Sequence, residues 1–231
     1  MKKILITLAL FALTMPAFAQ WSIGLRDGVN LNHMTRSSFY TDATYINNFG
    51  ISSAITVSYK ALDWLTITAE PGWTERNYIT YHNNYYMQLA GCHESHQNGY
   101  LQLPIMADFN WGGEKLRFHL MAGVSCGYWL YSLTTGSVYA LNIDPSATDE
   151  VVSSQAFEAV DVEFDEVRDN RFCFGYVAGM GLSFNFNEHW GLLLEGLVNY
   201  DVTSQTKDYM RINDPRYNTT YTLHLGINYS F

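Results

Sequence analysis

The chain has 231 residues, with 13 basic and 22 acidic side chains, a formal net charge of −9 and 16% aromatic residues. The acidic balance argues against nucleic acid as a partner, and the length suits one domain or one barrel. Beyond the N-terminus no segment approaches the roughly 18 consecutive apolar residues of a membrane helix, so any membrane crossing is expected to use strands.

The opening "MKKILITLALFALTMPAFAQ" reads as a secretory signal peptide. Lys2 and Lys3 form its charged start, residues 4–13 an apolar stretch too short to span a bilayer, and Ala17-Phe18-Ala19 a small-residue cleavage site. Cleavage after Ala19 leaves residues 20–231 as one domain, with 11 basic residues against 22 acidic ones and a net charge of −11.

Period-two patterning then predicts eight strands, at 21–32, 49–60, 64–78, 100–111, 116–131, 171–186, 190–203 and 219–231. In the fourth, Leu101, Leu103, Ile105, Ala107, Phe109 and Trp111 alternate with Gln102, Pro104, Met106, Asp108 and Asn110. In the sixth, a face of Phe172, Phe174, Tyr176, Met180, Leu182 and Phe184 backs onto Gly175, Gly179, Gly181, Ser183 and Asn185. The last, "YTLHLGINYSF", carries an apolar stripe from Tyr221 to Phe231 with no later segment to cover it.

Turns at 61–63, 112–115 and 187–189 are short, whereas 33–48, 79–99, 132–170 and 204–218 are long. That alternation predicts an all-β, eight-stranded antiparallel up-and-down transmembrane β-barrel, with periplasmic turns and extracellular loops. A soluble lipocalin-like barrel has the same strand count. The glycine-rich polar face favours the membrane form, because small residues leave room inside a narrow bore for long charged ones. Trp21, Tyr59, Trp111, Trp190 and Tyr229 near strand ends fit an interfacial girdle.

"GLRDGVNL" (24–31), "YLQLPIMADF" (100–109), "AGVSCGYWL" (122–130), "GYVAGMGLSF" (175–184) and the aromatic-ended last strand resemble the PorT-type outer-membrane β-barrel family of porin-like proteins over essentially the whole mature chain. The resemblance implies a Gram-negative outer membrane and a terminal Phe231 read by the barrel-assembly machinery. It leaves the activity open, because members differ in role.

Inside an eight-stranded bore side chains fill the space. Arg26, Glu70, Asp108, Arg117, His119, Glu195 and His224 fall on the polar face. Glu70 and Glu195 are expected to form a mid-barrel layer around Arg26, completed by His224, with Asp108 and His119 nearer the periplasmic end and all in one hydrogen-bonded network, since an unpaired buried charge is costly. Asp27 falls on the lipid face, where it is either tolerated or touches a partner protein. Pro71 and Pro104 should each sit at a bulge or lose one ladder bond.

Three cysteines, Cys92, Cys126 and Cys173, are expected to form no disulfide. "GCHESH" supplies Cys92, His93 and His96, which with His82 could gather a zinc or copper ion in a surface loop. The acidic run 157–170 should form a strand extension paired with 137–143, and lacks the glycine turn of a calcium loop.

No Ser/His/Asp or Asp/His set is expected on the strand ends, no glycine loop cradles phosphate, and no cofactor is implied, so the chain reads as a non-enzyme. The expected role is a scaffold or interaction protein working through its outer loops, chiefly 132–170. An accessory subunit of a secretion machine and a small-solute channel are the alternatives.

Overall fold

The computed structural model describes residues 20–36, 43–82, 92–142, 151–208 and 215–231. Its strands are β1 (Trp21–Arg36), β2 (Ala43–Leu62), β3 (Leu65–Ala69), β4 (Gly72–Glu75), β5 (Tyr78–His82), β6 (His93–Gly112), β7 (Leu116–Asn142), β8 (Val151–Asp161), β9 (Phe172–Asn185), β10 (Trp190–Asp201) and β11 (Arg216–Ser230).

β3, β4 and β5 are three pieces of one stave. Their register against β6 runs unbroken through Ala69↔Ile105, Gly72↔Gln102 and Tyr78↔His96. Every adjacent pair is antiparallel, and β1 pairs β11 from Ser22↔Ser230 to Arg36↔Arg216, which closes the sheet. The result is a ring of eight staves, with β8 outside it as a partner of β7 alone.

Alternation settles which face points out. Leu25 and Leu225 are 57% and 61% exposed, whereas the intervening Arg26 and its neighbours Glu70 and Glu195 are 3%, 1% and 1% exposed. The fold therefore turns its apolar residues outward and its charges inward, the arrangement that hydrocarbon stabilises and water does not. The stripe ending the chain thus faces lipid, as do the matching faces of β1 and β10.

At the short-turn end the expected aromatics pack across strands: Trp21 on Tyr59 at 5.0 Å, Trp190 on Tyr229 at 5.0 Å, and Trp111 on Phe118 at 6.2 Å between ring centroids. One of the tight turns needs Gly112, whose φ of +133° disfavours any side chain.

Pro104 lies within β6 and Pro71 in the break between β3 and β4, across which the register stays continuous, so each loses a ladder bond without a bulge. Their carbonyls still accept, from Ile55 N and Glu70 N, each at 3.0 Å.

The strands run further at the outer end than hydropathy suggests. β2 starts at Ala43 rather than 49, β6 at His93 rather than 100, and β7 ends at Asn142 rather than 131. Beyond the bilayer the ladder continues while the lipid face no longer has to be apolar, so the alternation that marks a strand fades.

The paired ribbon also differs in register from expectation. Residues 133–142 pair with 151–161, so that Gly136 meets Phe157 and Ser137 meets Ala156. Past Asp161 the chain leaves the ribbon and returns to the barrel mouth, where Val162 N donates to Ser132 O and Trp129 N to Arg171 O, both at 2.8 Å. Residues 1–19 lie outside the described residues, so the signal peptide has no structural counterpart here.

Candidate functional site

The bore holds its polar side chains in separate groups rather than in the single hydrogen-bonded network expected. In the first, Arg26 on β1 is clamped between Glu70, at the β3–β4 break, and Glu195 on β10, its Nη2 lying 3.0 Å from Glu195 Oε1. Gly181 and Gly226 make this possible, since a Cβ at either would fall 2.6 Å from Glu195 Cγ or 2.8 Å from Arg26 Cγ.

His224 does not complete that clamp. Its Nε2 instead meets Ser52 Oγ at 2.8 Å, across β1 from its own strand. Arg117 lies apart as well: half-buried near the periplasmic mouth, it donates from Nε to Gly113 O at 3.3 Å.

The remaining two predicted residues form a line with a third. Asp108 on β6 and His119 on β7 face each other, His119 Nδ1 lying 3.2 and 3.3 Å from the two Asp108 carboxylate oxygens. On the ring's far side, Nε2 is 2.7 Å from Ser183 Oγ on β9. All three are more than 90% buried. With Nδ1 protonated, the imidazole donates to Asp108 and accepts from the Ser183 hydroxyl.

These groups border a cavity of about 140 Å³ at the periplasmic end, whose lining includes Arg26, Asp108, Asn110, Arg117, His119 and Ser183. The reading that no Ser/His/Asp set is held by the strands is thereby corrected. Asp108, His119 and Ser183 each lay on a predicted polar face, but only the β6–β7 and β7–β9 registers bring them together.

A further group, whose Arg76 falls on the polar face but whose partners the sequence does not assemble, plugs the outer half. Arg76 pairs with Asp201, donates from Nη2 to Gln102 Oε1 at 3.1 Å, and stacks 4.6 Å over the Tyr100 ring. Tyr100 stacks on Trp129 at 5.8 Å, and Phe164 meets Trp129 edge-on at 4.8 Å. Gln205 donates to Tyr100 Oη from above. Asp201 shares the parity of Glu195 along β10, so alternation could have found it.

The other sequence candidates scatter. His93 is exposed and stacks on Tyr81, whereas His96 turns inward to stack on Tyr78 and contact Thr134 Oγ1 at 3.1 Å. Strand alternation separates them, Cys92 is buried, and the His82 side chain lies outside the described residues. Among the described residues no three His, Cys, Asp or Glu are placed to hold a metal. Asp27 sits exposed on the lipid face and accepts from Ser53 Oγ.

Nearly the whole chain, residues 5–231, matches the outer membrane protein beta-barrel domain family. The chain belongs to that family. Its place is accordingly the outer membrane of a Gram-negative bacterium.

Solved structures are similar to the chain at low identity. The outer membrane protease OmpT of Escherichia coli is 11% identical with a TM-score of 0.54, covering 92% of this chain and 97% of its own. OprG of Pseudomonas aeruginosa is 12% identical at 0.48, over 92% and 96%. Neisserial surface protein A is 12% identical at 0.45, over 91% and 97%. No curated protein sequence matches the chain.

The expectation of a non-enzyme does not stand. A protease is among the barrels that share this fold, so the architecture gives no ground for excluding catalysis.

Proposed function

We propose that this barrel is a membrane anchor whose outer rim serves as a binding surface. The supporting observation is the continuity of β7 and β8 with the wall. The ribbon of 133–142 paired with 151–161 extends the sheet outward, and the returning segment packs Phe164 against Trp129. A loop held by its own ladder loses less entropy on binding than a free one. Below it the Arg76–Asp201 and Arg26 groups occupy the bore, so the rim, not a pore, is the part offered to the surroundings.

Crosslinking in intact cells, with recovery of the tagged barrel in detergent, tests this. A stoichiometric partner lost on deleting 137–156 supports it; an unchanged set of crosslinks after that deletion refutes it.

A PorT-like subunit of a secretion machine is the second reading, favoured by Asp27 alone. Its carboxylate and the Ser53 hydroxyl flank an outer-face groove of about 380 Å³ that also includes Pro71, Gly72 and Trp73. A lateral partner with a hydrogen-bond donor would satisfy it. Loss of a crosslinked partner on Asp27→Leu, with the ribbon intact, would favour this reading over the first. In either case Phe231 and the apolar last strand are proposed to carry the signal for barrel assembly.

A further inference from the structure

We infer that Asp108, His119 and Ser183 constitute an acyl-hydrolysing site opening to the periplasm, with Ser183 as nucleophile and short-chain carboxylic esters as substrates. Three independent features of the geometry carry the inference.

The first is the hydrogen-bonded line itself. A serine hydroxyl is a weak nucleophile until a neighbouring base takes its proton, and a base works best when a third group fixes its tautomer. His119 Nε2 stands 2.7 Å from Ser183 Oγ, and its Nδ1 stands 3.2 Å from Asp108. Each member comes from a different strand, so the rigid wall rather than a loop sets the spacing.

The second is access. Packing a bore needs no space beside the hydroxyl, yet the cavity of about 140 Å³ reaches Ser183 and His119 from the periplasmic mouth. A void of about 150 Å³ accommodates a benzene ring, so this one suits an acyl group of a few carbons.

The third is charge. Arg117 is the direct cross-strand neighbour of Ser183 on the inner face and lines the same cavity. Its Nε donates to Gly113 O, and it brings to the cavity a positive charge that would favour the negative charge developing on a carbonyl oxygen.

The reaction balances with water alone. Ser183 Oγ attacks the ester carbonyl carbon as its proton passes to His119 Nε2. The carbon–alkoxide bond breaks, and His119 protonates the departing alcohol. Water then attacks the acyl-serine with His119 again taking the proton, and the proton returns to Ser183 as the carboxylic acid leaves. Asp108 touches no substrate and is a positioning residue.

The test uses the full barrel in detergent micelles, folded as judged by heat-dependent mobility on gels. The probes are methanesulfonyl fluoride, whose S–F bond is exchanged for a bond to an activated serine oxygen, and p-nitrophenyl acetate. The inference predicts a sulfonyl adduct mapped to Ser183 by mass spectrometry. It also predicts ester hydrolysis falling about 100-fold or more in Ser183→Ala and His119→Gln.

Should His119→Gln fail to fold, Ser183→Ala decides alone, since it removes only a hydroxyl. The charged groups facing the imidazole are Asp108 on β6, Arg117 on β7, Glu195 on β10 and Arg26 on β1. Removing one negative charge in Asp108→Asn should slow sulfonylation and move its pH profile to lower pH. A folded barrel with no adduct, an adduct on another serine, or hydrolysis unchanged in Ser183→Ala overturns the inference.

Discussion

Arg26 illustrates how strongly a single residue is committed in this barrel. It is the cation between two buried carboxylates, so replacing it with methionine leaves Glu70 and Glu195 uncompensated in the bore. Breaking a buried pair by removing one partner costs about 3–5 kcal/mol. Urea unfolding of Arg26→Met in micelles should show a loss of that size. Neutralising all three together, as Arg26→Met with Glu70→Gln and Glu195→Gln, should recover most of it, because the loss comes from unpaired charge rather than from missing contacts.

Asp27 lies at the opposite extreme, a carboxylate about midway along β1 and facing lipid. Asp27→Leu is predicted to raise unfolding stability by about 1 kcal/mol, the direction set by the cost of a charge on a barrel's lipid face. The same titration measures it.

Much of this residue-level picture is legible in the sequence, and its failures have a common cause. Parity along a strand tells which face a residue occupies, and so finds Arg26, Glu70, Glu195 and Asp27. Parity does not tell the height at which a residue meets its neighbours. Register fixes height, and register depends on the ladder and the shear of the closed ring. That is why His224 meets Ser52 rather than the Arg26 carboxylates, and why parity points Ser183 inward without joining it to Asp108 and His119. The His and Cys run at 92–96 reads as a loop, whereas β6 already begins at His93 and alternation pulls its histidines apart.

Among the elements, the returning segment 162–171 holds the outer mouth. Asp169 accepts from Arg168 Nε at 2.8 Å and Nη2 at 2.9 Å and from Asp165 N at 2.9 Å, and forms a bridge to Thr206. Burial pushes its carboxyl up, but the Arg168 guanidinium and the Asp165 amide outweigh that and hold it below the usual carboxylate range. A carboxyl whose folded pKa is depressed contributes stability above its unfolded pKa, and that contribution disappears as pH falls through the lower folded value. Amide exchange at 165–169 and 204–207, corrected for intrinsic rates, should therefore accelerate below the ordinary Asp range. Asp169→Asn should show raised exchange at neutral pH and little further change with acid.

The ribbon of β7 and β8 is a different kind of element. β7 already has β6 and β9 as partners through the membrane, from Leu116↔Phe184 to Tyr128↔Phe172. Deleting 137–156 should consequently leave heat-dependent gel mobility and the unfolding midpoint unchanged within about 0.5 kcal/mol. Its acidic composition and the polar outer ends of the strands hid the length of this ribbon from a hydropathy reading.

For the molecule as a whole, the fold inverts the usual rule, with lipid covering the apolar residues and polar side chains crossing the bore above the periplasmic cavity. The wall is closed by β1 and β11. The lower bore is crossed by the Arg26 clamp and the upper by Arg76, Asp201, Tyr100 and Trp129, with Gln205 above. Eight staves leave little more than the width of these side chains. The most direct test is single-channel recording of the purified barrel in a planar bilayer across the range of physiological potentials. A filled bore predicts current indistinguishable from the protein-free membrane. Reproducible step openings that disappear when the barrel is unfolded would contradict the account.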